Sequence, residues 1–164
     1  MQDLGTAFGL GFVTGLRSMT ACAVLTHAAA AHQAAAPGGT RAGWIPAGPV
    51  ARGLTLAAAL GEMAGDKMPF APDRRIPPSF AARLAIGAAG GAALSGRRTS
   101  PIGGAVAGLT GAVLGTFLGR AARGPTSRTA AGFARGLTED AVAAGLALAL
   151  VRRAEASARA GRTA

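Results

Sequence analysis

The chain has 164 residues; half are hydrophobic, only 4 % are aromatic, Tyr is absent, Cys22 is the single cysteine and Gly occurs 26 times. Charged residues make up 15 %, against about 25 % in an ordinary soluble domain, and the net charge is +10. These figures exclude a disordered chain, a disulfide-stapled one and collagen. They also exclude a soluble bundle with a large core, since small side chains bury little area at about 25 cal/mol per Å²; an all-α, polytopic integral membrane bundle remains.

Residues 4–32 are apolar apart from Arg17, a few hydroxyls, His27 and His32. One helix of that length would run about 43 Å, beyond the ~30 Å hydrocarbon core. Gly15-Leu16-Arg17-Ser18 at its centre predicts a break, with Ser18 capping the second piece. Residues 33–49 hold four Gly and three Pro and predict a loop, with Trp44 as an anchor at the membrane interface. The second run, 50–65, leads into Asp66 and Lys67, and Pro69, Pro72, Pro77 and Pro78 end any helix there. Residues 80–95 form a short run, and 101–119 form the cleanest span, with Pro101 in its first turn. Residues 120–128 are a basic loop. The last run, 129–151, is expected to break at Gly136-Leu137-Thr138-Glu139-Asp140. About five apolar segments result, two of them broken, in one transmembrane domain over 1–151. A polar, frayed Arg/Ala-rich tail follows over 152–164.

The arginines do not form one stripe, as nucleic-acid binding would require. Arg74 and Arg75, Arg97 and Arg98, Arg120 and Arg123, and Arg152 and Arg153 stand between apolar runs, where they suit anionic headgroups. The expected partner is the lipid bilayer, with no nucleic acid, and the expected location is the cell inner membrane. Basic residues follow the first apolar stretch instead of preceding it, so it does not have the form of a cleaved signal. Five crossings would put Lys67, Arg74, Arg75, Arg120, Arg123, Arg128 and Arg135 on one side. Arg41, Arg97, Arg98 and the four tail arginines would face them, a balance that gives no orientation.

Glycines recur at four-residue spacing: Gly5/Gly9, Gly11/Gly15, Gly87/Gly91, Gly104/Gly108, Gly111/Gly115/Gly119 and Gly132/Gly136. On a helix this places them on one face, and close backbone approach through such seams drives helix association where lipid offers no hydrophobic gain. A homo-oligomer packed through these seams is one expectation.

Of the seven acidic residues, Glu62, Asp66, Glu139 and Asp140 sit in or at the edges of apolar runs, as Arg17 does. Ionisable groups there cost at least ~2.5–3.5 kcal/mol on the insertion scale and need a partner or a role. As structure, Thr138 would cap a helix with Glu139 and Asp140 in its first turn, Lys67 would complement a helix C-terminus, and Arg17 would pair with a carboxylate. As function, two helix breaks at mid-membrane depth would gather Arg17, Ser18, Glu62, Asp66, Lys67, Thr138, Glu139 and Asp140 around a small ion or solute. Glu62, Asp66, Glu139 and Asp140 would be oxygen ligands for a hard cation, or proton relays. The stretch Gly11–Leu16 is similar to Gly132–Leu137, which pairs the two breaks with opposite charges. His27 and His32 are five apart, not the four of a helical zinc pair. Cys22 suits packing. No nucleophile–base pair stands out, so neither an enzyme nor a cofactor is expected.

Gly15-Leu16-Arg17-Ser18, Glu62-x-x-x-Asp66-Lys67-x-Pro69 and Leu137-Thr138-Glu139-Asp140 followed by a small-residue helix resemble the bacterial membrane-protein family named domain of unknown function 4126, over roughly residues 5–150. The resemblance implies a small multi-pass membrane protein in which Arg17, Glu62, Asp66, Lys67, Glu139 and Asp140 matter most. The family's polar segment before the Glu-Asp pair is here reduced to Ser127, Thr129 and Thr138. The leading expectation is transport or permeation of a small ion or solute. The alternative is a non-transporting scaffold built on the glycine seams.

Overall fold

The computed structural model describes residues 2–36, 40–65, 77–95, 99–123 and 130–160. They form six helices: α1 Gln2–Leu16, α2 Ser18–Ala35, α3 Pro49–Gly65, α4 Pro77–Leu94, α5 Pro101–Arg123 and α6 Ala130–Ala160. No strand occurs among the described residues. Prolines stand first in α3, α4 and α5, where the missing N–H is an orphan in any case.

The residues in register fix the helix directions. Glycines at 11 and 15 of α1 meet Gly108 and Ala112 of α5, while Gly111 and Gly115 meet Phe8 and Phe12, so α1 and α5 run parallel. Gly87 and Gly91 of α4 meet Gly108 and Gly104, so α4 runs antiparallel to both. Leu10 and Leu25 both reach Gly90, so α2 folds back along α1. Thr26 of α2 bonds Thr55 of α3 while Met19 bonds Glu62, which makes that pair antiparallel. Leu150 of α6 lies on Gly9 while Asp140 reaches Arg17, another antiparallel pair. The six helices therefore alternate up and down.

The first apolar run is thus two helices and not one tilted span. It is broken where the sequence predicts, at Arg17, which is extended at φ −147°, ψ 107°. Ser18 is not the cap; Arg17 holds that place with no side-chain cap, and Ser18 is the first helical residue. The second expected break is absent. α6 is continuous through Gly136–Asp140, and the Thr138 hydroxyl donates to the Ala134 carbonyl one turn back. The segment contains no proline, and an interior Gly costs only about 1 kcal/mol, which packing overrides. The tail expected to fray is helical to Ala160, with Ala154 buried and Arg159 paired to Glu155 at 3.2 Å.

α5 packs against both α1 and α4. Its buried face is Gly104, Gly108, Gly111, Ala112, Gly115 and Gly119, and it is the element packed between α1 and α4. Its exposed face carries Ile102, Val106, Leu109, Leu114, Phe117 and Leu118. Large apolar side chains outside and glycine inside reverse the order of a water-soluble helix, and this is the arrangement lipid permits. Pro101–Ala121 is also the one described helix long and apolar enough to cross a membrane, at mean hydropathy 1.6.

The seams are partly as expected. A Cβ on Gly11, Gly15, Gly91, Gly104, Gly108, Gly111 or Gly115 would run into backbone of the facing helix. Gly5 and Gly136, in contrast, have nothing within 4 Å, and Gly9 faces only the Leu150 side chain. The core proper fills the other side of α1 with Leu10, Val13, Val24, Leu25, Leu94 and Leu150.

Candidate functional site

The α1–α2 reversal leaves orphan backbone groups on both sides of Arg17. The last carbonyls of α1 carry partial negative charge and the first amides of α2 partial positive charge. Two α-type bonds survive across the turn, from the Arg17 N–H to the Val13 carbonyl at 2.7 Å and from the Ala21 N–H to the Arg17 carbonyl at 3.2 Å. Side chains from other helices meet the Gly15 carbonyl and the Ser18 and Met19 amides, with Arg83 at the carbonyl end and Glu62 at the amide end.

At the end of α1, Arg83 of α4 donates from Nη1 to the Gly15 carbonyl at 2.7 Å. The Thr116 hydroxyl of α5 approaches the same oxygen at 3.5 Å. At the start of α2, the Glu62 carboxylate of α3 accepts the Ser18 N–H at 3.1 Å and the Met19 N–H at 2.9 Å, one on each oxygen. Arg17 itself is 1 % exposed and donates from Nη2 to Oδ1 of Asp140 on α6, in a buried ion pair. Glu139, also buried, lies by Gly119 of α5, as the Leu16 side chain does. Four helices, α3, α4, α5 and α6, thus converge on residues 15–19, where α1 ends and α2 begins.

The fold unites Arg17, Ser18, Glu62, Glu139 and Asp140. Ser18 acts through its backbone and not its hydroxyl. Thr138 is exposed and bonded along its own helix, outside the group. Asp66 and Lys67 lie outside the described residues. The carboxylate cage expected for a cation does not form among the described residues: no group of three or more His, Cys, Asp and Glu side chains there is arranged to hold a metal ion. The physical reason is that Glu62 is turned to backbone amides and Asp140 to Arg17. His27 Nδ1 contacts the Ala23 carbonyl of its own helix at 2.9 Å.

The cluster is level with Gly119, two residues short of the end of the apolar stretch Pro101–Ala121. It therefore stands near one end of that stretch and not at its middle. Relative to α6 it is recessed, since Asp140 is ten residues, about 15 Å, from Ala130.

Arg83 was missed by sequence reasoning. It is a lone arginine inside the apolar run 80–95, 3 % exposed, and that isolation was the available signal. Replacing it with Met keeps the stem and removes the charged donor to Gly15. The expected cost is about 1.5–3 kcal/mol, read as a lower midpoint of thermal unfolding. An unchanged midpoint would mean that the Gly15 carbonyl does not depend on Arg83.

Comparison with protein-family models, with curated proteins and with solved structures finds no match to this chain.

Proposed function

We propose that this chain is a small multi-pass protein of the bacterial inner membrane, of the kind its resemblance to domain of unknown function 4126 implies. In this reading it passes a small ion or solute through the polar cluster at the α1–α2 tip. The observation that carries the reading is the cluster itself. A chain with seven acidic residues places Glu62, Glu139 and Asp140 together with buried Arg17 and Arg83 at one helix reversal. Buried ion pairs are weak as stabilisers, because desolvation offsets most of their attraction, so their concentration at one point favours a working site. The exposed apolar face of α5, and Val50, Leu54, Leu56 and Leu60 on α3, suit lipid. The reading needs no catalytic nucleophile and no cofactor.

A scaffold is the second reading. Gly11, Gly15, Gly91, Gly104, Gly108, Gly111 and Gly115 already meet facing helix backbone within the chain, so these seams are taken up inside it. What favours the scaffold is α3, where Gly53, Ala57 and Gly61 recur at four-residue spacing on the exposed side.

Flux into proteoliposomes separates the two. With the purified chain reconstituted at low protein-to-lipid ratio, a screen over H⁺, Na⁺, K⁺, Mg²⁺ and Cl⁻ should find one ion that moves faster than in empty vesicles. Glu62→Gln and Asp140→Asn should cut that flux at least tenfold while the helical circular-dichroism spectrum is kept. Flux that is absent for all ions, or indifferent to both changes, would favour the scaffold.

A further inference from the structure

When membrane helices are joined by short connections, the Lys and Arg near their ends decide which end is kept on the cytoplasmic side. The rule applies to connections of up to about 60 residues, and the longest one here is 36–48. Asp and Glu contribute little to the choice.

The alternation of the six helices fixes which basic residues share an end. Splitting the first apolar run at Arg17 adds a helix and brings Gln2 to the same end as Ala160. The end that holds the α1–α2 tip is also where α3 stops, α4 starts, α5 stops and α6 starts. Lys67, Arg74 and Arg75 lie between α3 and α4 in the sequence, and Arg120, Arg123, Arg128 and Arg135 flank the passage from α5 to α6, which makes seven. At the opposite end Arg41 and Arg52 flank the passage from α2 to α3, and Arg97 and Arg98 lie between α4 and α5. With Arg152, Arg153, Arg159 and Arg162, in or after the last turns of α6, that end has eight.

Two further arginines belong to the polar cluster, Arg17 on Asp140 and Arg83 on the Gly15 carbonyl. Counting them makes nine against eight. The ends differ by a single charge in either count. The helices made first usually carry the most weight, and they are balanced too. Before Arg52 the chain has two basic residues, Arg17 at the tip and Arg41 at the other end.

Resting on the membrane reading above, we propose that the chain enters the bilayer in both orientations and that one membrane holds both. Each end has enough positive charge to be retained on the cytoplasmic side, and neither has enough to exclude the other.

The test labels the full chain in cells with a permeabilised outer membrane, using a maleimide that cannot cross the inner one. Cys22 is the single cysteine, so Cys22→Ala supplies a background without thiols. On it, Thr163→Cys reports the end at which α6 stops and Ser127→Cys the end at which it starts. Labelling from outside, as a share of labelling after lysis, should be at least about one in ten at each position, and the two shares should add to about one. Arg120→Gln/Arg123→Gln leaves five basic residues facing eight, so the Thr163→Cys share should fall and the Ser127→Cys share rise. Arg152→Gln/Arg153→Gln/Arg159→Gln leaves seven facing five and should move the shares the other way. Each set should change the ratio of the two shares about tenfold or more. One share near one and the other below about one in ten would overturn the two orientations and leave the membrane reading standing. A ratio indifferent to both sets of changes would also overturn them. No labelling from outside at either position would overturn the membrane reading and the two orientations together.

Discussion

Replacing Asp140 with Leu is expected to cost about 3–5 kcal/mol. The change strips the carboxylate from a guanidinium that is 1 % exposed and lies in a helix reversal. A buried pair contributes little net energy, but half of a pair leaves a desolvated charge behind. The check is a double-mutant cycle on thermal or denaturant midpoints. Arg17→Met/Asp140→Leu should recover most of the loss, since an apolar pair of similar volume restores packing and removes both charges. If the double variant is no better than Asp140→Leu alone, the loss lies in the α6 packing and not in the broken Arg17–Asp140 pair. Asp140→Asn, which still accepts a hydrogen bond, should fall well short of the Leu substitution.

The second large effect concerns single methyl groups. Gly108→Ala should destabilise by about 3 kcal/mol or more, because the new Cβ would overlap the Gly87 carbonyl at a backbone crossing. A flexible side chain could give way, but a helix backbone cannot, so α4 and α5 must part along their length. Gly11→Ala should behave alike, against the Gly108 carbonyl. The controls are Gly53→Ala and Gly136→Ala, which meet nothing within 4 Å. These should be neutral or stabilising by up to about 1 kcal/mol, through helix propensity alone. Measuring the four midpoints together tests the register of the bundle. Comparable losses at Gly53 and Gly108 would show that the helices do not face each other this way.

How far the fold could be read from the sequence depended on the kind of signal. Composition and four-residue glycine spacing indicated an all-α chain with backbone seams, and Gly11, Gly15, Gly104 and Gly108 are used in that way. The same spacing at Gly5 and Gly136 misled, because periodicity names a face without saying whether another helix lies against it. The break at Arg17 was legible because a long apolar run with a central charge cannot stay one helix cheaply. The break at Gly136 was not real, and the local signs were equally good: a glycine, then a hydroxyl, then two acids. What separates the two places is tertiary. Arg83 and Glu62 wait on neighbouring helices to take up the groups freed at Arg17, and no one-dimensional pattern states that they do. That Arg17 pairs with a carboxylate follows from its place inside an apolar run, whereas the likeness of Gly11–Leu16 to Gly132–Leu137 sets it opposite Thr138 and not Asp140. That Glu62 would turn to backbone amides, and so be lost to a cation cage, was not legible.

The buried ion pair also has a history within each molecule's synthesis. Arg17 and Asp140 are separated by 123 residues. At roughly 5–20 residues per second, the carboxylate is made about 6–25 s after the arginine it will neutralise. Glu62 and Arg83 come earlier, so the two ends of the reversal can be capped before the charge at its tip is matched. Until α6 is in place Arg17 lacks its Asp140 partner, the ion pair that ties the first hairpin to α6. α6 is therefore the helix that completes the ion pair at the α1–α2 tip.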